Sequence, residues 1–163
     1  FLYYGDEIGL PYREGLTSKE GGFFRTGSRT PMQWTAGKNR GFSETDGELY
    51  LPVDESAASP DVAAQEKDEN SILNMVRKLI ALRKEHEELQ TGENFEVLYA
   101  EKGRYPFVFR RGSFVVAVNP CGKAAEAPLN GEYEAVFSVN AAAKAENGTV
   151  QVPPVSLTLF KAR

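Results

Sequence analysis

The sequence predicts an α/β opening followed by an all-β antiparallel sandwich, and three observations carry that prediction. An apolar run, Phe1-Leu2-Tyr3-Tyr4, ends at Gly5. A helical apolar repeat occupies the middle of the chain. From about residue 94 onward, short alternating runs are separated by turn dipeptides and show no helical period.

Phe1–Tyr4 reads as a buried strand entered midway. A continuous apolar run suits a strand covered on both faces, as in a parallel sheet, and no parallel partner is apparent further on. The chain is therefore expected to be the C-terminal part of something larger. Residues 5 to about 70 are rich in Gly, Pro, Ser, Thr, Asp and Glu and have no sustained period. Loops this long are uncommon inside compact domains and tend to be functional or disordered. Phe23, Phe24, Met32, Trp34, Phe42, Tyr50 and Leu51 within it predict an ordered loop that packs on something.

Ile72, Leu73, Val76, Leu79 and Ile80 repeat at helical spacing, with Met75 and Leu82 widening the stripe. Ile72, Val76, Leu79 and Ile80 are expected to form either the buried companion face of the sandwich or a face made for other parts of a larger fold. Asp68, Asn70 or Ser71 can cap the start, Arg83, Lys84 and His86 suit the C-terminal end of the dipole, and Thr91-Gly92 ends the helical region. The strands expected after it are 95–99, 106–110, 114–118, 133–137, 149–152 and 155–160. Arg111-Gly112-Ser113 turns the second back as the third, and Asn130-Gly131 and Asn147-Gly148 mark further turns. Six such strands predict a small sandwich that the preceding helix helps to cover.

Composition excludes several chemistries. A net charge of −4 lacks the Lys/Arg excess that nucleic-acid binding needs. No apolar run approaches the ~20 residues of a membrane span. One cysteine, Cys121, builds neither a disulfide framework nor a Cys-rich metal site. One histidine, His86, reads as a solvated helix residue. Adjacent Asp6 and Glu7 cannot flank one glycosidic bond, because neighbours on an extended chain point to opposite faces. They read as hydrogen-bonding groups at a strand end. No cofactor and no metal is expected.

Arg29-Thr30-Pro31-Met32-Gln33-Trp34 places an Arg, a Pro-fixed turn, an amide and the single Trp inside a polar loop. Arg forks and amides hydrogen-bond vicinal hydroxyls, and an aromatic face stacks on the C–H face of a sugar. An embedded Trp also anchors loops, so composition leaves both readings open.

The segments Leu2-Tyr3-Tyr4-Gly5-Asp6-Glu7-Ile8-Gly9, Arg29–Trp34 and Gly41-Phe42-Ser43 resemble the alpha-amylase family, glycoside hydrolase family 13. Leu51-Pro52-Val53, Asp61-Val62, Gln65, Asp68, Ser71 and Lys78-Leu79-Ile80-Ala81-Leu82-Arg83-Lys84 continue the resemblance in order. The Arg29–Trp34 form is most similar to the alpha-glucosidase, oligo-1,6-glucosidase and trehalose synthase branch. The resemblance implies a fragment of a (β/α)8 barrel over residues 1–90 (last strand, long loop, last helix), then domain C, an antiparallel β-sandwich, over 91–163. It implies an alpha-linked glucose oligosaccharide or disaccharide as the full-length protein's substrate. Arg29 is the first candidate for touching sugar, with Asp6, Gln33 and Trp34 behind it. The family's Asp nucleophile, Glu acid/base and transition-state-stabilising Asp follow earlier barrel strands, so none of the residues here is expected to be catalytic and the chain alone is expected to be inactive. Two other readings are a non-catalytic extracellular part of an amino-acid transporter heavy chain and a carbohydrate-binding accessory domain, for which Tyr99, Tyr105 and Tyr133 are the candidate platforms. The expected compartment is the cytoplasm. With the first strand and the helix face both unpartnered, the fragment is expected to self-associate.

Overall fold

A strand needs a neighbouring strand, and Phe1–Tyr4 pairs with none among the described residues. In a computed structural model, describing residues 1–19, 21, 25–90, 92 and 94–163, these four residues form no strand and are exposed. The parallel neighbours that such a strand requires are not among the described residues, and the ladder does not form. Phe23, Phe24 and Thr91 lie outside the described residues. Contacts divide the chain into two units, Phe1–Ile80 and Ala81–Arg163.

In the first unit the long segment is ordered around a small core of Ile8, Met32 and Leu73, against which Leu10 and Val62 pack. A short helix, α1 (Val62–Glu66), was not anticipated. Its free N-terminal amides are all met: Val62 and Ala63 donate to the Gln33 and Trp34 carbonyls, and the Asp61 carboxylate accepts from Ala64 at 2.8 Å. The predicted helix is α2 (Ile72–Glu85). Ser71 is its cap, the hydroxyl accepting from Asn74 at 3.2 Å, while the Gln65 side chain takes the Leu73 N–H at 3.0 Å. Of the two outcomes expected for its apolar face, burial within this chain does not occur. Only Leu73 of α2 is buried; Ile72 and Ile80 are exposed, and Leu79 is 36% exposed.

Among the described residues the second unit holds eight strands: β1 (Phe95–Tyr99), β2 (Phe107–Arg111), β3 (Phe114–Asn119), β4 (Ala125–Pro128), β5 (Tyr133–Val139), β6 (Lys144–Glu146), β7 (Thr149–Val152) and β8 (Ser156–Ala162). All pairings are antiparallel, in a five-stranded sheet ordered β1-β2-β3-β8-β5 and a three-stranded sheet ordered β4-β7-β6. Six strands match the sequence reading, and β4 and β6 are additional. Strand β3 is central and buried on both faces. Val115 and Ala117 join Val108, Ala127, Leu129, Ala143, Val150, Val152 and Phe160 in the core of the sandwich. Phe114 and Val116, on the opposite face, join Leu159, and Leu82 and Leu89 cover them. The end of α2 does, therefore, help to cover the sandwich.

Two polar groups organise this unit. Buried Asn119 donates from Nδ2 to the carbonyls of Lys123, Val152 and Pro153 and accepts the Cys121 N–H. Glu88 accepts the Ser113 N–H and, at 3.2 Å, the Ser113 hydroxyl. The Ser113 backbone bond first, then its hydroxyl, hold the Glu88 carboxyl below its ordinary value. A depressed carboxylate adds stability above its unfolded value and loses it as pH falls through the folded value, because the unfolded chain binds more protons in that window. The urea midpoint should accordingly fall in that acid window, and Glu88→Gln should flatten this part of the pH profile. An unchanged slope in the variant would remove Glu88 from the account.

Candidate functional site

The residues after the apolar opening turn sharply because Gly5 and Gly9 take φ of +92° and +67°, backbone open to glycine. Between them Asp6–Ile8 is one 3-10 turn rather than a strand end. Asp6 accepts the Tyr3 N–H at 2.9 Å and Glu7 the Gly5 N–H at 2.7 Å, so each carboxylate closes the local backbone. Ile8 is driven inward, and its carbonyl accepts the Gln65 amide at 2.7 Å.

The turn brings Tyr4 beside the Arg29 segment. The Tyr4 hydroxyl donates to the Thr30 carbonyl at 3.1 Å. Burial first, then neighbouring Tyr3, push the Tyr4 phenol up, while Arg29 pulls it down. The phenol therefore stays a neutral donor at ordinary pH. Tyr4, Arg29, Pro31, Met32, Phe42, Tyr50 and Leu51 line a cavity of about 340 Å³. A second, more polar cavity of about 550 Å³ also has Tyr50 and Leu51 in its wall, together with Arg13, Lys19, Asn39, Glu48 and Glu55. The Lys19 ammonium lies 5.0 Å from the centre of the Tyr50 ring.

The four sequence candidates part company here. Arg29 lines the smaller cavity. Asp6 is exposed but engaged at the turn. Gln33 is 0% exposed, donating to the Ser59 hydroxyl at 2.6 Å and the Pro60 carbonyl at 3.0 Å. Its amide holds the loop and does not face solvent. Trp34 is anchored through its backbone, donating to the Arg40 carbonyl at 2.8 Å, with its ring exposed and outside the cavity lining. Tyr4, Pro31, Met32, Phe42, Tyr50 and Leu51 complete the wall. Phe42, Tyr50 and Leu51 carried a signal as aromatics and aliphatics stranded in a polar loop, whereas Tyr4 was read only as strand core.

The arrangement can bind a compact molecule with apolar faces and hydroxyl edges: rings supply flat contact and Arg29 supplies a planar fork of donors. Among the described residues, no carboxylate lines the smaller cavity. His86 lies elsewhere, its ring 4.7 Å from that of Phe114, and Cys121 is an exposed thiol. Among the described residues, no three His, Cys, Asp or Glu side chains are grouped to hold a metal, and no helix is long and apolar enough to cross a membrane.

Comparison with known proteins gives matches in one direction. The family model for the alpha amylase catalytic domain matches residues 1–92. Trehalose synthase/amylase TreS of Mycolicibacterium smegmatis is 41% identical over 96 residues, 56% of this chain and 15% of that protein. Probable oligo-1,6-glucosidase 2 of Bacillus subtilis is 40% identical over 87 residues, 53% of this chain and 15% of its own length. The solved alpha-glucosyl transfer enzyme XgtA superposes with a TM-score of 0.76 at 28% identity, over 99% of this chain and 32% of that one. An isomaltulose synthase mutant from Erwinia rhapontici NX5, in complex with D-glucose, gives a TM-score of 0.70 at 25% identity over 85% and 26%. The chain spans about 15% of the length of the curated relatives it matches.

Proposed function

The chain belongs to the alpha-amylase family, and from that premise we propose that it completes an α-glucan-active retaining glycoside hydrolase or transglycosylase. In this reading residues 1–90 are the end of the (β/α)8 barrel, with Phe1–Tyr4 as its last strand, the loop to about Asp68 and α2 as its last helix. Residues 91–163 are domain C. The observation that carries the reading is the Tyr4–Arg29 cavity. It stands on the loop that directly follows the apolar opening, and barrel active sites form at the C-terminal ends of strands.

The substrate is an alpha-linked glucose oligosaccharide or disaccharide. Arg29 donates to its hydroxyls, and the Tyr4, Phe42 and Tyr50 rings contact its C–H faces. Asp6 shapes the turn that presents Tyr4, Gln33 fixes the loop behind Arg29, and Trp34 stands at the rim. The carboxylates that attack the anomeric carbon and protonate the leaving oxygen come from polypeptide outside these residues, through a covalent glycosyl-enzyme intermediate. The names of the trehalose synthase/amylase and oligo-1,6-glucosidase relatives support an α-linked glucose saccharide as substrate.

The test compares the 163-residue chain with the same chain extended upstream by its own coding sequence, on maltose, trehalose and a nitrophenyl α-glucoside. The extended protein should turn over at least one of them and the chain none. Turnover by the highly purified chain above a heat-killed control would overturn the assignment.

The exposed Phe1, Leu2, Tyr3, Ile72, Leu79 and Ile80 side chains are, on this reading, surfaces made for barrel neighbours. The isolated chain should therefore self-associate, giving a mass in light scattering that rises with concentration, while a version starting at Glu69 associates less. A concentration-independent monomer mass for the parent chain would contradict this.

A further inference from the structure

The loop joining β1 to β2 takes no part in the Tyr4–Arg29 site, yet it gathers ring and polar groups that the sandwich core does not use. Residues 100, 101 and 103–107 line a cleft of about 290 Å³. Pro106 is fully buried and roots the loop, while the adjacent Tyr105 is 44% exposed. The Glu101 carboxylate accepts the Tyr99 hydroxyl at 2.8 Å and pairs with the Arg104 guanidinium at 3.4 Å. The Arg104 N–H donates to the Glu101 carbonyl at 3.1 Å, which closes a turn over Gly103 at φ +75°. A Cβ on Gly103 would meet nothing within 4 Å, so that side of the turn is open.

These groups match the two faces of a pyranose. An exposed ring offers a flat apolar contact, and a carboxylate–guanidinium pair offers acceptors and donors to sugar hydroxyls. Opposite charges within the cleft disfavour an anion as occupant. The volume falls at the small end of ligand sites (~300–1,000 Å³), which suits one or two sugar rings. We infer that the β1–β2 loop is a second, independent saccharide site, with Tyr105 as the platform and Arg104 and Glu101 as the hydroxyl ligands. That the sugar is α-linked glucose rests on the function proposed above; the site itself rests on the loop.

The experiment is a titration of the ¹⁵N-labelled 163-residue chain with maltotriose, with inorganic phosphate as the anion control. Saturable amide shifts are expected at Glu101, Gly103, Arg104 and Tyr105 with maltotriose and not with phosphate. Tyr105→Ala should weaken this binding about tenfold or more, and Tyr105→Phe should retain it, since the ring and not the hydroxyl makes the contact. Tyr105 is exposed, so both variants should keep the parent's dispersed spectrum. No saturable shift in the loop, equal shifts with phosphate, or unchanged affinity in Tyr105→Ala would overturn the proposal. Shifts at Tyr4, Arg29 and Phe42 report the other site separately, so failure in one loop does not mimic failure in the other.

Discussion

Phe160→Ala is expected to destabilise the sandwich by about 3–5 kcal/mol. Phe160 is 2% exposed and lies among Val108, Val115, Val150 and Val152 at the centre of the inner core. It stands on β8, paired with β3 on one side and β5 on the other, and its ring meets the edge of Tyr133 at 6.2 Å. Truncation removes the transfer free energy of the ring and leaves a void that two hydrogen-bonded neighbours cannot move to fill. A domain with a net stability of about 5–15 kcal/mol loses much of it. Urea unfolding followed by circular dichroism measures the change. A midpoint within error of the parent would mean that the two sheets do not enclose this ring. Leu79→Ala is the contrasting case. At 36% exposed, Leu79 already retains contact with water, so its truncation should cost much less than a core substitution in this chain.

The second large effect concerns activity. In the upstream-extended protein, Arg29→Ala should lower kcat/KM by about 10–100-fold, the range set by hydrogen bonds from a charged donor, worth about 1.5–3 kcal/mol. Arg29→Lys should recover only part, because an ammonium keeps the charge and loses the planar fork. Gln33→Leu separates binding from scaffolding. Gln33 is buried on Ser59 and Pro60, so its replacement should lower the unfolding midpoint and reduce activity only as folded protein is lost. Arg29 variants with parent-like kinetics, or Gln33→Leu with parent stability and failed kinetics, would reverse the two roles.

What the sequence conveyed follows from the range of the interactions involved. Strand β3 was legible because it carries an unbroken apolar run, β8 because apolar residues alternate with Ser156 and Thr158, and β7 because Asn147-Gly148 marks its hairpin. Strands β4 and β6 were not. They are four and three residues long and rich in Ala, Glu and Lys, and they are strands because β7 offers each a ladder. Phe1–Tyr4 carries strand-like residues but has no partner strand among the described residues, so it stays single. In the site, the ring-and-Arg character of residues 29–34 was visible in the sequence. The separation of Arg29 from Gln33 was not, because the groups that bury Gln33 lie 26 and 27 residues away. Tyr4 reaches the cavity only through the turn between Gly5 and Gly9, whose positive φ values the reading of a continuous strand missed.

The central claim is that these residues shape a sugar site whose attacking carboxylate lies elsewhere in the polypeptide. A fluorinated α-glucosyl fluoride, which traps the glycosyl-enzyme of retaining enzymes, tests it directly by intact mass and peptide mapping. The 163-residue chain should keep its unmodified mass, and the upstream-extended protein should gain one glycosyl group on a carboxylate outside residues 1–163. An adduct on any Asp or Glu within these residues, or an active extended protein that gains none, would contradict the account.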